Sequence, residues 1–106
     1  MPNVGIIGTG SYVPKRILKN HDLEKMVNTS DKWIIERAGI RERRIAGDDE
    51  TNVTMGRIAL ERALENARIA PEAIEMVIVG TNTTEPVWPS AGGHIAKMLS
   101  LRKNIP

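Results

Sequence analysis

A chain of 106 residues has room for at most one domain, and 41% hydrophobic with 26% charged residues is the balance of a globular protein. Fifteen basic residues against 13 acidic ones leave a net charge of only +2, too small and too interleaved for a nucleic-acid stripe or a membrane-binding face. Cysteine is absent, which excludes disulfides, thiolate metal sites and a cysteine nucleophile within these residues.

The opening MPNVGIIGTGSYVP has no basic n-region, and its apolar run is too short for a signal peptide. No stretch reaches the length that spans a bilayer. A cytoplasmic location is the expectation. Val4 to Gly8 is apolar and bounded by Gly and Pro, the pattern of a short buried strand. Asn20 can cap a short helix through about Met26, and Thr29 or Ser30 can cap a second. That second helix carries Trp33, Ile34, Arg37 and Ala38 at helical spacing, and Gly39 is placed to end it in a left-handed turn. IRERRI, residues 40–45, reads as a short extended segment, and GDDETN as a solvated loop.

From Val53 to Ala67 the apolar residues recur every three or four positions, the clearest amphipathic helix in the chain. Pro71 can start a short helical turn. MVIVG, residues 76–80, is a continuous run rich in β-branched residues and predicts a buried, parallel strand. A loop of Thr, Asn and Pro follows, and Ser90 can cap a last helix through about Leu101. Alternating strands and helices indicate an α/β layer fold. Two strands do not complete a doubly covered sheet, so the expectation is the front part of something larger, unstable alone because its strands lack neighbours.

Most candidate sites reduce to bland explanations. GIIGTGSYVP lacks the third glycine of a dinucleotide fingerprint, and Pro14 stands where a helix should open, so a tight turn is the simpler reading. Asp48, Asp49 and Glu50 have no histidine near them in sequence and no calcium-loop spacing, which leaves a solvated loop and no metal. His21 and His94 have no visible triad or zinc partner. Ser90 lacks the glycine-flanked elbow of a hydrolase. Trp33 and Arg37 stand apart. Four residues apart on a helix they are neighbours, either as a structural cation–π pair or as a stacking face with a phosphate fork. Thr29 and Ser30 add hydroxyls and helix-end amides, groups that favour an anion.

GIIGTGSYVP, NHDLEKMVNTSDKWIIERAGIRERRIA and WPSAG together resemble the N-terminal part of β-ketoacyl-acyl-carrier-protein synthase III, a thiolase-fold condensing enzyme. The likeness runs from Val4 to about Leu101, and residues 1–106 would be the first portion of the N-terminal domain, an incomplete layered α/β half. In that family an acyl-CoA primer, usually acetyl-CoA, condenses with malonyl-acyl carrier protein. The resemblance implies a coenzyme A site at Thr29, Trp33 and Arg37. Trp33 would stack on the adenine, Thr29 would hydrogen-bond near it, and Arg37 would meet the phosphates. It also implies a cationic rim for the acidic carrier protein, a homodimer, acyl-CoA as substrate and no separate cofactor. Trp88 falls where the family closes the acyl pocket, which suggests a preference for acetyl over longer primers.

The family's nucleophilic cysteine and its histidine and asparagine fall beyond this chain, so no catalytic residue is assigned and the 106 residues alone should be inactive. SAGGH and SLRKN depart mildly from the family pattern. Two alternatives stand beside this reading: a segment of another thiolase-fold synthase that accepts acyl-CoA, and a non-catalytic interaction module.

Overall fold

In the computed structural model, which describes residues 3–83 and 90–102, the chain divides into two units. One is the continuous stretch Val13–Glu50, and the other combines Met1–Tyr12 with Thr51–Pro106.

The first unit is a two-stranded antiparallel ladder carrying two short helices. Strand β1 (Arg16–Lys19) pairs with β2 (Glu42–Ile45) in the register Arg16 to Ile45 through Lys19 to Glu42. The last four residues of IRERRI are therefore the extended segment that its sequence predicts. Between the strands lie α1 (Asn20–Glu24) and α2 (Asp31–Ala38). Helix α1 is shorter than expected and starts differently. Lys19 occupies the cap position, and Asn20 is drawn inside the helix, where it is 1% exposed. Helix α2 follows its sequence closely. Ser30 caps it through a bond from the Trp33 amide, and Gly39 ends it at φ 69°, in the left-handed region where a glycine carries no Cβ penalty.

No residue of α2 is buried, and within the unit only Pro14 and Asn20 are. The unit is therefore held by hydrogen bonds more than by an apolar core. The arginines of β2 contribute directly. Arg43 donates to the Leu18 carbonyl at 3.3 Å, and Arg44 donates to the Pro14 carbonyl at 3.0 Å.

The second unit is built on α3 (Asn52–Ala67) and α4 (Ala91–Met98). Their facing stripes bury Val53, Ala91 and Ile95, with Leu60 and Leu99 packed against them. The contact is close enough that a Cβ on Gly56 would stand 3.0 Å from the Ile95 Cδ1. A single 3-10 turn, Pro71–Ala73, follows α3. Both helices close with a paired reverse bond. In α3 the Arg68 and Ile69 amides return to the Glu65 and Leu64 carbonyls, and in α4 those of Ser100 and Leu101 return to Lys97 and Ala96. This closure requires a left-handed residue, supplied by Arg68 at φ 57° and Ser100 at φ 53° rather than by glycine. It also ends α4 at Met98, earlier than Leu101, and turns Leu101 inward to 7% exposure.

The two glycines of GTG have a different purpose from the tight turn expected. The N-terminal segment runs against α3, and a Cβ on Gly8 would lie 2.6 Å from the Ala63 carbonyl oxygen. On Gly10 it would lie 2.2 Å from the Ala59 carbonyl oxygen and 2.4 Å from the Ala63 amide. Backbone meets backbone there, and only glycine leaves the space. Arg62 reinforces the contact by donating to the Ser11 carbonyl at 2.7 Å while its guanidinium lies 5.5 Å from the Tyr12 ring centre.

Neither apolar run expected to be a strand forms one. Among the described residues the only ladder joins β1 and β2, and Val4, Ile6 and Ile78 are 98%, 88% and 87% exposed. A parallel strand is buried only when neighbours pair both its edges and helices cover both its faces. These residues carry the pattern for such an environment without supplying it.

The close approach at Gly10 and the strained cap at Ser100 give opposite expectations. Gly10→Ala should destabilise by at least the ~1–3 kcal/mol typical of overpacking, because the obstruction is helix backbone and cannot rotate away. Ser100→Gly should stabilise by about 1 kcal/mol by relieving the left-handed penalty. Thermal melts of the two variants against the parent check both signs.

Candidate functional site

The Trp33 site begins with the way α2 is anchored. Asn20, buried at the start of α1, uses its whole amide. Its Nδ2 donates to the Asp31 carboxylate and to the Ile40 carbonyl, each at 2.8 Å, while its Oδ1 accepts from Arg43 at 2.7 Å. Its backbone N–H reaches the Arg41 carbonyl at 3.4 Å. One side chain thus joins the start of α2, the loop that leaves it and strand β2. Glu24 adds a second tie, its carboxylate accepting the Asp31 amide at 2.7 Å.

These anchors hold α2 with its outer surface open. Trp33 is 56% exposed, and Asn28, Thr29, Ser30 and Trp33 line a hollow of about 320 Å³, at the small end of the usual range for ligand pockets. The Arg37 guanidinium lies 6.0 Å from the indole centre, the edge of cation–π range, and is itself exposed. The structure therefore brings Thr29, Trp33 and Arg37 together on one face of one unit. An exposed cation–π contact of this kind contributes only about 0.5–1 kcal/mol, so it leaves the ring free to take another partner.

The helix-end amides expected to attract an anion are partly taken. The Asp31 N–H is bonded to Glu24 and the Trp33 N–H to Ser30, at 3.1 Å, so the protein's own oxygens occupy that position. Positive charge for a phosphate comes instead from side chains. Arg43 and Arg44 donate to backbone carbonyls, Arg44 while still exposed, whereas the exposed Arg37 and Arg41 make no such bond among the described residues. Five basic side chains that look alike in sequence thus separate into a structural pair and an outward-facing pair, with Lys32 paired to Glu36 at 3.9 Å along α2.

Trp88 lies outside the described residues. The chain on either side of it frames a second cavity of about 410 Å³, whose walls include Val77, Val79, Thr81, Ser90 and Gly92. Sequence reading assigned Ser90 only to a cap, and it does cap α4, its Oγ accepting the Gly93 amide at 3.3 Å. The cavity itself was not foreseen, nor was the buried role of Asn20, because both depend on contacts between residues far apart in the chain. Asp48 and Asp49 are exposed in a turn closed by the Gly47 amide on the Glu50 carboxylate at 2.8 Å. No group of three acidic or histidine side chains with metal-binding geometry occurs among the described residues. Nor is any described helix long and apolar enough to cross a membrane.

Replacing Asn20 should loosen this site without touching its surface. Asn20→Ala leaves Asp31, Ile40 and Arg43 without their shared partner and should cost about 1–3 kcal/mol, the usual penalty for orphaned buried groups. Hydrogen exchange at the α2 amides should accelerate by about the corresponding factor, and unchanged protection would show that Glu24 and Ser30 hold the helix by themselves.

Comparison with known proteins gives these geometries a context. No protein-family model matches the chain. It is 52% identical over 103 residues to β-ketoacyl-[acyl-carrier-protein] synthase III of Actinobacillus succinogenes, a match covering 97% of this chain and 33% of that protein. Its fold resembles that of 3-oxoacyl-[acyl-carrier-protein] synthase III from Aquifex aeolicus, with a TM-score of 0.89 at 44% identity over 94% of this chain and 32% of that one. The priming β-ketosynthase of the R1128 polyketide pathway is also similar, with a TM-score of 0.86 and 40% identity over 90% of this chain and 28% of its own length. The fold is thus a partial thiolase-like one, as the sequence implied. Along nearly its whole length the chain is similar to β-ketoacyl-[acyl-carrier-protein] synthase III enzymes, and it spans about a third of the length of the relatives it matches.

Proposed function

We propose that these residues are the N-terminal portion of a β-ketoacyl-acyl-carrier-protein synthase III that starts fatty-acid synthesis from acetyl-CoA, and that Thr29, Trp33 and Arg37 form its coenzyme A site. The observation that carries the reading is the open indole of Trp33, set beside the hydroxyl-lined hollow and next to an exposed guanidinium. A purine needs a flat apolar face, and base–aromatic stacking contributes roughly 1–3 kcal/mol. Phosphates need a fixed cation, and Arg37 and Arg41 are exposed arginines around the helix end that, unlike Arg44, donate to no backbone carbonyl among the described residues. The same two charges suit an acidic carrier protein, where their main effect would be on the rate of encounter.

In the reaction so assigned, a thiol attacks the acetyl thioester of acetyl-CoA, and coenzyme A leaves with the proton. Malonyl-acyl carrier protein then loses carbon dioxide, its carbanion attacks the enzyme-bound acetyl group, and acetoacetyl-acyl carrier protein forms as the thiol is released. The accepting thiol is not among these residues, since the chain contains no cysteine. What this segment would contribute is binding and orientation of the carrier end of the primer, together with part of a homodimer surface. Similarity to the R1128 priming ketosynthase supports a second reading, a condensing enzyme of the same chemistry whose product differs.

The test uses the full-length enzyme. Trp33→Ala should raise KM for acetyl-CoA by about 5- to 150-fold, the factor that corresponds to ~1–3 kcal/mol of lost stacking, with a much smaller change in kcat. Arg37→Ala should raise the same KM and weaken its dependence on salt. A Trp33→Ala enzyme with unaltered KM for acetyl-CoA would refute the assignment.

A further inference from the structure

The cavity between the 77–83 segment and the start of α4 has a hydroxyl whose orientation is set from α3. Thr81 lines the cavity, and its Oγ1 accepts two hydrogen bonds, from the Asn52 Nδ2 at 3.1 Å and from the Thr83 amide at 3.3 Å. A hydroxyl oxygen has two acceptor positions and one hydrogen to donate. With both acceptor positions filled, the O–H of Thr81 has no acceptor among the described residues, and on this exposed residue it is open to solvent and to whatever occupies the cavity it lines.

Asn52 is built for this task. It is the first residue of α3, and a reciprocal cap fixes its place: Thr54 N–H donates to Thr51 Oγ1 at 3.2 Å, and Thr51 N–H donates to Thr54 Oγ1 at 2.9 Å. Its second amide hydrogen goes to the Thr83 carbonyl at 2.8 Å, so both donors of one side chain close on the same three-residue loop. The opposite wall is apolar at Val77 and Val79, with Gly92 approaching closely enough that a Cβ there would lie 3.6 Å from the Val79 Cγ2. Asn82 and Ser90 also line the cavity, so it offers a carbonyl-bearing chain an apolar wall of valines and a polar side, on which Thr81 is the hydroxyl oriented from α3.

We infer that Asn52 is a positioning residue that turns the Thr81 hydroxyl toward a carbonyl oxygen of the acyl substrate. This deepens the condensing-enzyme reading and rests on it. Neither residue takes part in bond making; the pair selects and orients the acyl group.

Steady-state kinetics of the full-length enzyme with acetyl-CoA test the inference. Thr81→Val removes the hydroxyl at constant shape and should lower kcat/KM about five- to tenfold, the factor for one lost hydrogen bond, whereas Thr81→Ser, which keeps the hydroxyl, should stay within about twofold of the parent. Asn52→Asp keeps the size of the side chain but loses both donors, and it should reproduce the loss seen in Thr81→Val. The double variant Asn52→Asp/Thr81→Val should then be no worse than either single change. Additive losses, or equal losses in Thr81→Ser and Thr81→Val, would overturn the inference and leave Asn52 a purely structural residue. Should Asn52→Asp fail to fold, the contrast between Thr81→Ser and Thr81→Val still decides. A parent enzyme without acetyl-CoA-dependent condensation would instead refute the function proposed above, so the two failures are distinguishable.

Discussion

The amide of Asn20 is the constraint on which the Trp33 surface depends. A fully enclosed polar side chain is tolerated only when its hydrogen-bonding capacity is met, and here both amide hydrogens and the oxygen have protein partners. Those partners belong to three different segments, so a single saturated group sets where α2 begins, where the chain leaves it and how β2 returns. Apolar packing could not do this in a unit whose helix α2 buries no residue. The consequence is a helix held firmly at its ends and left bare along its outer face. That combination would suit the aromatic ligand proposed for this surface.

The density of arginine around this helix has a divided explanation. Arg43 and Arg44 each donate to a backbone carbonyl, Arg43 to that of Leu18 in β1 and Arg44 to that of Pro14 before it. Arg37 and Arg41 face outward. Composition cannot separate the two groups, because the distinction lies in which carbonyls happen to be near. The helix N-terminus shows the same economy in reverse. Glu24 and Ser30 fill donor positions that a sequence argument would leave for an external anion, which moves the expected phosphate contacts onto side chains.

What could be read from sequence was what local chemistry decides. Ser30 and Gly39 delimit α2 and Ser90 starts α4, each through a bond or a backbone angle within a few residues. The grouping of Thr29, Trp33 and Arg37 was legible for the same reason, since a helical turn brings them together. Asn20 and Asn52 were not. Asn20 reads as a cap and Asn52 as part of a solvated loop, yet they act on residues 11 to 31 positions away. The glycines of GTG were misread because their requirement comes from α3, about fifty residues later, and not from a turn of their own. Val4–Gly8 and residues 76–80 fail for a further reason: a buried-strand pattern specifies an environment, and these residues do not contain it.

The near absence of apolar burial in Val13–Glu50 affects how its opening can be observed. Heat-capacity increments and denaturant slopes both scale with the surface exposed on unfolding, and apolar surface dominates the first. A unit closed mainly by amide and guanidinium bonds exposes little such surface when it loosens. Its fluctuations would hardly register in a calorimeter or a urea titration that follows the whole protein, and helix α2 could breathe well below the global melting point while every bulk probe still shows a folded protein.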